Sequence, residues 1–343
     1  MKAGKKYRVC IAEALYPMLL YLLISSEDEI RRTIFIVDYR IESRIIERLP
    51  HVVFEDITKD IYLRSKWAMC LYGWWLRFSR FRFMNHADIY GLDFKWYLLN
   101  KLHINYIEDA PNIFNLWETS PMYRQYLKSQ NIKPWKRKLR KLIFGDFFRN
   151  PVATSDSVND VYVTAPSYKP YLKGKNQVVV DMASEWNNSP EGKKQLILSI
   201  FDISNSDLED IKKKKVMLLT QAFYDDKMVT EDEQIKIYRK ILDNYDHNEV
   251  IIKAHPRDRL DYRKAFPDIM YFDKVVPLQF LSIIGIKFSH VATVSSSSAL
   301  SFGDNIKIDW YGGGVHPAIL KAEGVRTLDD ALKNYREQNG LKR

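Results

Sequence analysis

Short apolar runs alternate with amphipathic stretches along most of this 343-residue chain. The runs are rich in Val and Ile and read as buried β-strands. They lie at Tyr7–Ala12, Thr33–Asp38, His51–Phe54, Ile104–Ile107, Asp160–Thr164, Gln177–Val180, Val216–Thr220, Glu249–Lys253 and His290–Thr293. Strands that are apolar throughout are typical of parallel sheets covered by helices on both faces. The alternation therefore predicts an α/β fold with doubly wound parallel sheets.

The N-terminal residues imitate a secretory signal, with basic side chains before the apolar stretch Val9–Ile24. Glu13 and Pro17 interrupt that stretch, and no small-residue cleavage site follows it. We therefore predict that the first strand leads into a helix over Pro17–Leu23. Because no uninterrupted apolar run is long enough to span a bilayer, the sequence favours a cytoplasmic protein.

The length favours two domains, and 46% hydrophobic residues supply enough apolar material for two cores. The polar stretch Asn150–Asn159 is the best candidate boundary. We predict an N-terminal domain over residues 1–155, a C-terminal domain over residues 156–315 and a helical tail over residues 316–343. Ligands of doubly wound sheets bind at the carboxyl ends of the strands, so functional residues are expected directly after strands.

Several classes of site are disfavoured by what the sequence lacks. The two cysteines, Cys10 and Cys70, lie in apolar runs and are predicted to be buried free thiols. The seven histidines show no pair at metal-ligand spacing, so no metal site is predicted. The chain contains neither a G-x-G-x-x-G loop nor a P-loop, and Gly312–Gly314 lacks the P-loop lysine. These absences argue against dinucleotide redox and NTPase chemistry.

The formal net charge of +10 is concentrated beside aromatic residues. Lys133–Arg149 is strongly basic, and Trp67–Met84 alternates arginine with tryptophan and phenylalanine. Basic helices that carry aromatic side chains suit an anionic membrane surface. The alternative is an ordinary helix with an apolar core face and a solvated basic face. No nucleic-acid-binding motif accompanies the charge, so we expect no nucleic-acid partner.

The first candidate functional segment, Lys253-Ala-His255-Pro256-Arg257-Asp258, follows the predicted strand Val250–Ile252. Histidine is suited to proton donation near neutral pH, and the basic neighbours favour an anionic ligand such as a phosphate. The alternative is a structural histidine bonded to a backbone carbonyl.

The second segment, Ser295–Ser298, follows the predicted strand His290–Thr293 and opens a predicted helix. Hydroxyls and free N–H groups at a helix N-terminus favour phosphate binding, aided by the helix dipole. The alternative is a simple serine N-cap.

Two acidic pairs, Glu108–Asp109 and Asp225–Asp226, also follow predicted strands. Neighbouring carboxylates repel, which raises the pKa of one and leaves a base available. Either pair could instead be solvated in a loop.

Together these segments resemble the bacterial sialyltransferases of glycosyltransferase family 52 and, more distantly, those of family 80 and the bacterial polysialyltransferases. The resemblance lies in Leu218–Tyr224, Glu231–Tyr238 and Ile251–Tyr262, and more loosely in Tyr106–Ala110. It implies a GT-B fold, with two Rossmann-like domains facing a central cleft. The N-terminal domain would face the acceptor, and the C-terminal domain would bind the nucleotide sugar.

The resemblance also implies roles for individual residues. His255 would be the general acid toward a departing CMP phosphate, and Asp109 the general base. Because Ala110 replaces the glycine of the family's acidic motif, Asp226 is the rival base. The implied nucleotide-binding residues are Lys253, Pro256, Gln279, Ser295, Ser296, Ser297 and Ser298, with Ser297 and Ser298 on the phosphate oxygens and Gln279 in place of a ribose-binding glutamate.

The implied activity is an inverting, metal-independent transfer of sialic acid from CMP-sialic acid to a galactose-terminated glycan of lipooligosaccharide or capsule. Neither a cofactor nor a divalent metal would be needed. With the membrane contact that Lys133–Arg149 and Trp67–Met84 favour, the protein would lie on the inner face of the cytoplasmic membrane. The alternatives are a related transferase that uses a UDP-hexose, and a basic protein that binds membrane or nucleic acid without catalysis. The oligomeric state is left open.

Overall fold

The computed structural model describes residues 7–54, 68, 71–72, 74–75, 78–92, 102–111, 113–144, 152–155, 157–255, 257–302 and 306–339. The chain divides between Phe201 and Asp202 into two compact units. Each unit contains a parallel sheet, and within the described residues helices lie between most of the successive strands. The predicted α/β class with doubly wound parallel sheets is therefore confirmed.

The sheet of the N-terminal unit has the strand order β3-β2-β1-β4-β5-β6-β7, and every pairing is parallel. Its strands are β1 (Tyr7–Ala12), β2 (Thr33–Val37), β3 (His51–Phe54), β4 (Ala87–Gly91), β5 (Ile104–Ile107), β6 (Val158–Val163) and β7 (Asn176–Val179). Its helices are α1 (Leu15–Ile24), α2 (Glu27–Arg32), α3 (Ser43–Ile46), α4 (Ile113–Thr119), α5 (Pro121–Gln130), α6 (Pro134–Phe144), α7 (Met182–Asn187) and α8 (Glu191–Ile200). Short 3₁₀ helices lie at Arg82–His86 and Pro170–Leu172.

Helix α1 is apolar because it is buried on nearly all sides, with each residue from Tyr16 to Leu23 in the core. This explains why the N-terminus imitates a secretory signal in composition. The predicted succession of strand and helix is confirmed. Cys10, on β1, is a buried free thiol as predicted, whereas Cys70 lies outside the described residues.

Strand β4 was not predicted from the sequence because it lacks an apolar run. It pairs with β1, and Gly91 lies opposite Ile11. Gly91 has a φ of 127°, and a Cβ there would lie 2.2 Å from the carbonyl oxygen of Ile11. Glycine is required where the backbone approaches this closely. Because the chain leaves β1 and β4 in opposite directions along the sheet, their carboxyl ends form the switch point of this sheet.

The boundary between the units differs from the predicted one at 155/156. Strand β6 pairs with β5, and β7 pairs with β6, so both belong to the N-terminal sheet. Helix α8 is attached to the same unit, since the buried Lys193 ammonium donates a hydrogen bond to the Leu23 carbonyl at 2.6 Å. The polar stretch Asn150–Asn159 is thus part of a crossover within one sheet.

The sheet of the C-terminal unit has the order β10-β9-β8-β11-β12, again with parallel pairings. Its strands are β8 (Val216–Leu219), β9 (Val250–Lys253), β10 (Met270–Tyr271), β11 (His290–Thr293) and β12 (Lys307–Trp310). Its helices are α9 (Asn205–Lys212), α10 (Glu231–Leu242), α11 (Tyr262–Ala265), α12 (Leu278–Ile283), α13 (Pro317–Glu323) and α14 (Leu328–Asn339). Short 3₁₀ helices lie at His247–Glu249, Ser297–Phe302 and Gly313–Val315.

Helix α10 shows how local sequence fixes these boundaries. Thr230 and Glu233 form a capping box, in which the side chain of each accepts a hydrogen bond from the backbone N–H of the other. Tyr238 and Ile241, on one side of the helix, are buried in the core of the C-terminal unit. The residues predicted as a helical tail include the helices α13 and α14, and the buried Ile319 of α13 belongs to the C-terminal core.

Among the described residues, every helix is too short or too polar to cross a membrane.

Candidate functional site

The carboxyl ends of β9, β8 and β11 lie side by side in the C-terminal sheet. The segments that follow them begin at Ala254, Thr220 and Val294 respectively. The strand order reverses between β8 and β11, which makes this edge the switch point where doubly wound sheets bind ligands. The His255 segment and the serine segment, predicted separately from the sequence, are therefore placed at one edge.

His255 is held in a defined tautomer. Its Nδ1 atom accepts a hydrogen bond from the backbone N–H of Arg257 at 3.1 Å, so the hydrogen of the neutral ring is on Nε2. Burial, and then the charge of Arg257, lower the pKa of His255 below its usual range. The ring is thus a neutral Nε2–H donor. Pro256, the next residue, lies outside the described residues.

A network of buried polar side chains holds the backbone of the His255 segment in place. The Thr220 hydroxyl accepts a hydrogen bond from the His255 backbone N–H at 3.2 Å and donates to Asp258 Oδ2 at 2.6 Å. The same carboxylate oxygen accepts from Tyr262 at 2.7 Å and from Gln234 at 3.2 Å. Burial raises the pKa of Asp258, and these hydrogen bonds oppose that effect. Thr220, Gln234 and Tyr262 were not identified from the sequence, because their roles depend on contacts between distant segments.

The acidic pair Asp225–Asp226 is attached to the same segment. The carboxylate of Asp226 binds both terminal nitrogens of Arg257, at 2.5 and 3.2 Å. Asp225 accepts a hydrogen bond from the backbone N–H of Arg259 at 3.0 Å. The next residue, Lys227, has a φ of 59°, the left-handed conformation that glycine adopts most readily. A glycine would therefore fit after this pair without strain.

The four serines divide into two buried and two exposed residues. The N–H of Ser295 donates to Gln221 Oε1 at 2.8 Å, and its hydroxyl donates to Glu323 at 2.7 Å. Ser296 is buried, and its N–H donates to the Thr293 hydroxyl at 3.1 Å. These two residues hold the loop in place. Gln221, which links the ends of β8 and β11, was also not identified from the sequence.

Ser297 and Ser298 are exposed and begin the 3₁₀ helix Ser297–Phe302. The sequence predicted a helix here whose dipole would assist anion binding. A six-residue 3₁₀ helix supplies a much smaller dipole than an α-helix of ordinary length, so the hydroxyl and N–H groups carry more of any interaction with an anion.

Lys253 and Gln279 lie on the β10 side of the same edge. The Lys253 ammonium donates to the Lys274 carbonyl at 3.2 Å and lies 4.8 Å from the centre of the Phe272 ring. Gln279 is half-buried in the first turn of α12. The segment that contains Lys274 lies directly before this helix in the chain. The structure thus brings Lys253 close to the chain that leads into Gln279.

The Glu108–Asp109 pair lies after β5 in the N-terminal unit, and its two members differ. Glu108 accepts hydrogen bonds from the Tyr16 hydroxyl at 2.8 Å and from the N–H and hydroxyl of Thr164 at 2.9 and 2.6 Å. These bonds connect the end of β5 to α1 and to the end of β6, although burial raises the pKa of Glu108. Glu108 is therefore a structural residue.

Asp109 has a buried Oδ1 atom that makes no hydrogen bond within the described part of the chain. Burial raises the pKa of Asp109, and the charge of Arg40 opposes that effect. Arg40 also forms ion pairs with Glu13, which follows β1, and with Asp38, which follows β2. The sequence did not single out Glu13, Asp38 or Arg40, which separate strand ends bring together.

In the ranges that the structure describes, no three His, Cys, Asp or Glu side chains are placed to hold a metal ion.

Comparison of sequences relates the chain to known proteins. Residues 171–318 match the sequence model of Glycosyltransferase family 52. An uncharacterized protein of Haemophilus influenzae is 26% identical over 312 residues, which cover 90% of this chain and 94% of the relative.

Comparison of structures gives bacterial sialyltransferases. The GT-B domain of a sialyltransferase from Photobacterium damselae aligns with a TM-score of 0.52 at 13% identity, covering 88% of this chain and 89% of that one. A 2,6-sialyltransferase of Photobacterium sp. JT-ISH-224 aligns with a TM-score of 0.54 at 11% identity, covering 98% and 77%. The α/β-galactoside α-2,3-sialyltransferase of Photobacterium phosphoreum gives 0.52 at 11% identity, covering 99% and 97%.

At these identities the structural likeness shows the fold, and the sequence match to a glycosyltransferase family extends over residues 171–318. The resemblance to glycosyltransferase family 52 is confirmed over residues 171–318, and the chain is a glycosyltransferase of the GT-B fold class.

Proposed function

We propose that this glycosyltransferase transfers sialic acid from CMP-sialic acid to a galactose-terminated surface glycan, with inversion and without a divalent metal. The observation that carries the proposal is the neutral Nε2–H donor of His255 at the switch point of the unit that contains most of the family 52 match. The 2,6-sialyltransferase that shares the fold was solved with CMP and lactose. Lactose ends in galactose, which supports the choice of acceptor.

The donor would bind at the carboxyl edge of the C-terminal sheet. The exposed hydroxyls of Ser297 and Ser298 suit the phosphate oxygens, and the positive charge of Lys253 favours an anion there. Gln279 would bond to the ribose hydroxyls. Because CMP leaves as a single phosphate ester, hydroxyl, imidazole and ammonium donors suffice to stabilise the charge that develops on it.

His255 would act on the departing phosphate through its Nε2–H group. Its Nδ1 atom is already occupied by the Arg257 N–H, so a second ring proton would require that hydrogen bond to break. The lowered pKa has the same consequence, because it disfavours the charged ring. A fixed neutral donor stabilises the leaving group without a full proton transfer. This refines the general-acid role that the family resemblance implies.

Two observations support Asp226 as the base that activates the acceptor hydroxyl. Lys227, which follows Asp226, has the left-handed backbone conformation that glycine adopts most readily, whereas Ala110, which follows Asp109, does not. Asp226 also belongs to the same unit as His255, and Arg257 contacts both residues. Asp109 is the rival, with its buried Oδ1 lacking a partner within the described residues.

The choice of donor is tested by thermal unfolding and turnover. We expect CMP to raise the melting temperature more than UDP, corresponding to about 2.7 kcal/mol at 100-fold excess over Kd. CMP-sialic acid should be consumed with lactose as acceptor at the same rate with and without EDTA. Stabilisation by UDP alone, with turnover of a UDP-hexose, would show that the donor is wrong. Loss of turnover in EDTA would refute the metal-independent mechanism.

Replacement of His255 tests its role. We expect His255→Ala to lower kcat about 10²–10³-fold with little change in CMP affinity, because the donor acts mainly in the transition state. His255→Gln, whose amide can place an N–H near the Nε2 position, should recover part of that loss.

The pH profile of the wild-type enzyme separates the two forms of the ring. If the imidazolium were required, kcat/KM would fall steadily as the pH rises above the lowered pKa of His255. We expect no such fall between about pH 6.5 and 8. A fall that disappears in His255→Gln would instead establish proton transfer from the charged ring.

The base is tested with three asparagine variants. Asp226→Asn should lower kcat about 10²–10⁴-fold because an amide cannot accept the acceptor's proton. Asp225→Asn, the neighbouring acid in the same loop, is the matched control and should retain most activity. If Asp109→Asn is the severely impaired variant and Asp226→Asn is not, the base belongs to the N-terminal unit.

Thr220 is a positioning residue whose effect on His255 can be measured. Thr220→Val keeps the shape of the side chain, but it leaves the His255 N–H without its acceptor and removes one of the three side-chain donors to Asp258 Oδ2. We expect kcat to fall about 10-fold to 100-fold through misplacement of the ring, and the free energy of unfolding to fall by about 1–3 kcal/mol. Thr220→Ser should restore both. An equally slow Thr220→Ser would show that the hydroxyl does not position His255.

A further inference from the structure

Two segments of the N-terminal unit expose apolar side chains in helical register. In the first, Leu71, Trp74, Trp75 and Phe78 are 66%, 41%, 59% and 69% exposed. Their spacing, i, i+3, i+4 and i+7, places them on one side of a helix, and the described residues there are helical. We call these four residues the tryptophan face.

The tryptophan face is anchored to the folded unit. The Trp75 ring stacks on Tyr72, with their centroids 5.7 Å apart. Tyr72 is partly buried against the core of the N-terminal sheet. Through Tyr72, the Trp75 ring is therefore held against the folded unit.

The second segment is helix α6. Trp135, Leu139 and Leu142 are 60%, 48% and 73% exposed, and their spacing of i, i+4 and i+7 again places them on one side. Every α6 side chain whose burial is described is exposed. We call these three residues the α6 face. An ordinary surface helix would turn such residues toward the core, so that alternative is contradicted for the described part of α6.

The charge around these faces is of one sign. Residues 61–87 hold five Lys or Arg and no Asp or Glu, and residues 119–145 hold eight and none. The two stretches thus contain 13 of the 53 basic residues and none of the 43 acids, which leaves the rest of the chain slightly acidic. Lys136 and Arg137 are exposed on α6 beside Trp135.

We propose that the N-terminal unit binds peripherally to an anionic phospholipid bilayer through the tryptophan face and the α6 face. Rings and leucines would enter the level of the headgroups and upper acyl chains, and the surrounding Lys and Arg side chains would bind the acidic headgroups. Nucleic acid fits less well, because Leu71, Leu139 and Leu142 have no partner on a phosphate backbone. The proposal concerns a surface separate from the candidate site, and it does not depend on the choice of donor.

The test is co-sedimentation of the full chain with vesicles of phosphatidylcholine alone and of phosphatidylcholine mixed with phosphatidylglycerol. We expect binding to the mixed vesicles that weakens as salt is added, together with quenching of tryptophan fluorescence by lipids brominated in the acyl chain. Trp74→Ser with Phe78→Ser, and Leu139→Ser with Leu142→Ser, should each weaken binding at least tenfold. Tyr168→Ser is the matched control, since Tyr168 is 92% exposed but belongs to neither face.

Unchanged melting temperatures would show that the variants fold, and unchanged turnover of a soluble acceptor would separate this proposal from the catalytic one. The proposal is overturned if the wild type does not sediment with mixed vesicles, or if the face variants sediment as the wild type does. Binding of duplex DNA with no vesicle binding would assign the basic stretches to nucleic acid instead.

Discussion

The hydrogen bond from the Thr220 hydroxyl to the buried Asp258 carboxylate is the contact on which the candidate site of the C-terminal unit depends. Burying a carboxylate is costly unless donors surround it, and here Tyr262 and Gln234 complete the set. Because Thr220 follows β8 and Asp258 follows β9, the bond connects two neighbouring strand ends. The backbone of His255 is tied to the same hydroxyl, so the orientation of the ring is determined by packing of the sheet.

The two acidic pairs illustrate how similar sequences acquire different roles. Glu108 accepts hydrogen bonds that connect β5 to α1 and β6, whereas the buried Oδ1 of Asp109 has no hydrogen-bond partner among the residues that the structure describes. In the other pair, both acids bind the segment that carries His255. The difference arises from the partners that each fold unit supplies, and the charges alone do not reveal it. A positive φ at Lys227 is the local feature that distinguishes the second pair.

The net positive charge of the protein is localised in its N-terminal unit. Its positive excess lies in two acid-free stretches of the N-terminal unit, where tryptophan, phenylalanine and leucine are exposed. Large apolar side chains exposed in register beside basic residues require a covering partner more than scattered exposed ones do. The α1 helix shows the opposite case, since its apolar surface is fully used inside the fold. By composition α1 resembles a targeting segment. Its apolar side chains are buried, whereas those of the tryptophan face and the α6 face are exposed.

The sequence by itself determined the fold class and most of the strands, because apolar runs of strand length must be buried on both faces. It also placed His255 and the serines directly after strands, which the parallel topology then brought to one edge. Strands β4, β10 and β12 escaped prediction because they are short or lack an apolar run. The domain boundary differs from the predicted one because β6 and β7 pair with the N-terminal sheet, a long-range choice with no local signal. The tertiary structure alone decided the tautomer of His255, the network beneath it and the partners of each acid, because these depend on contacts between residues far apart in the chain.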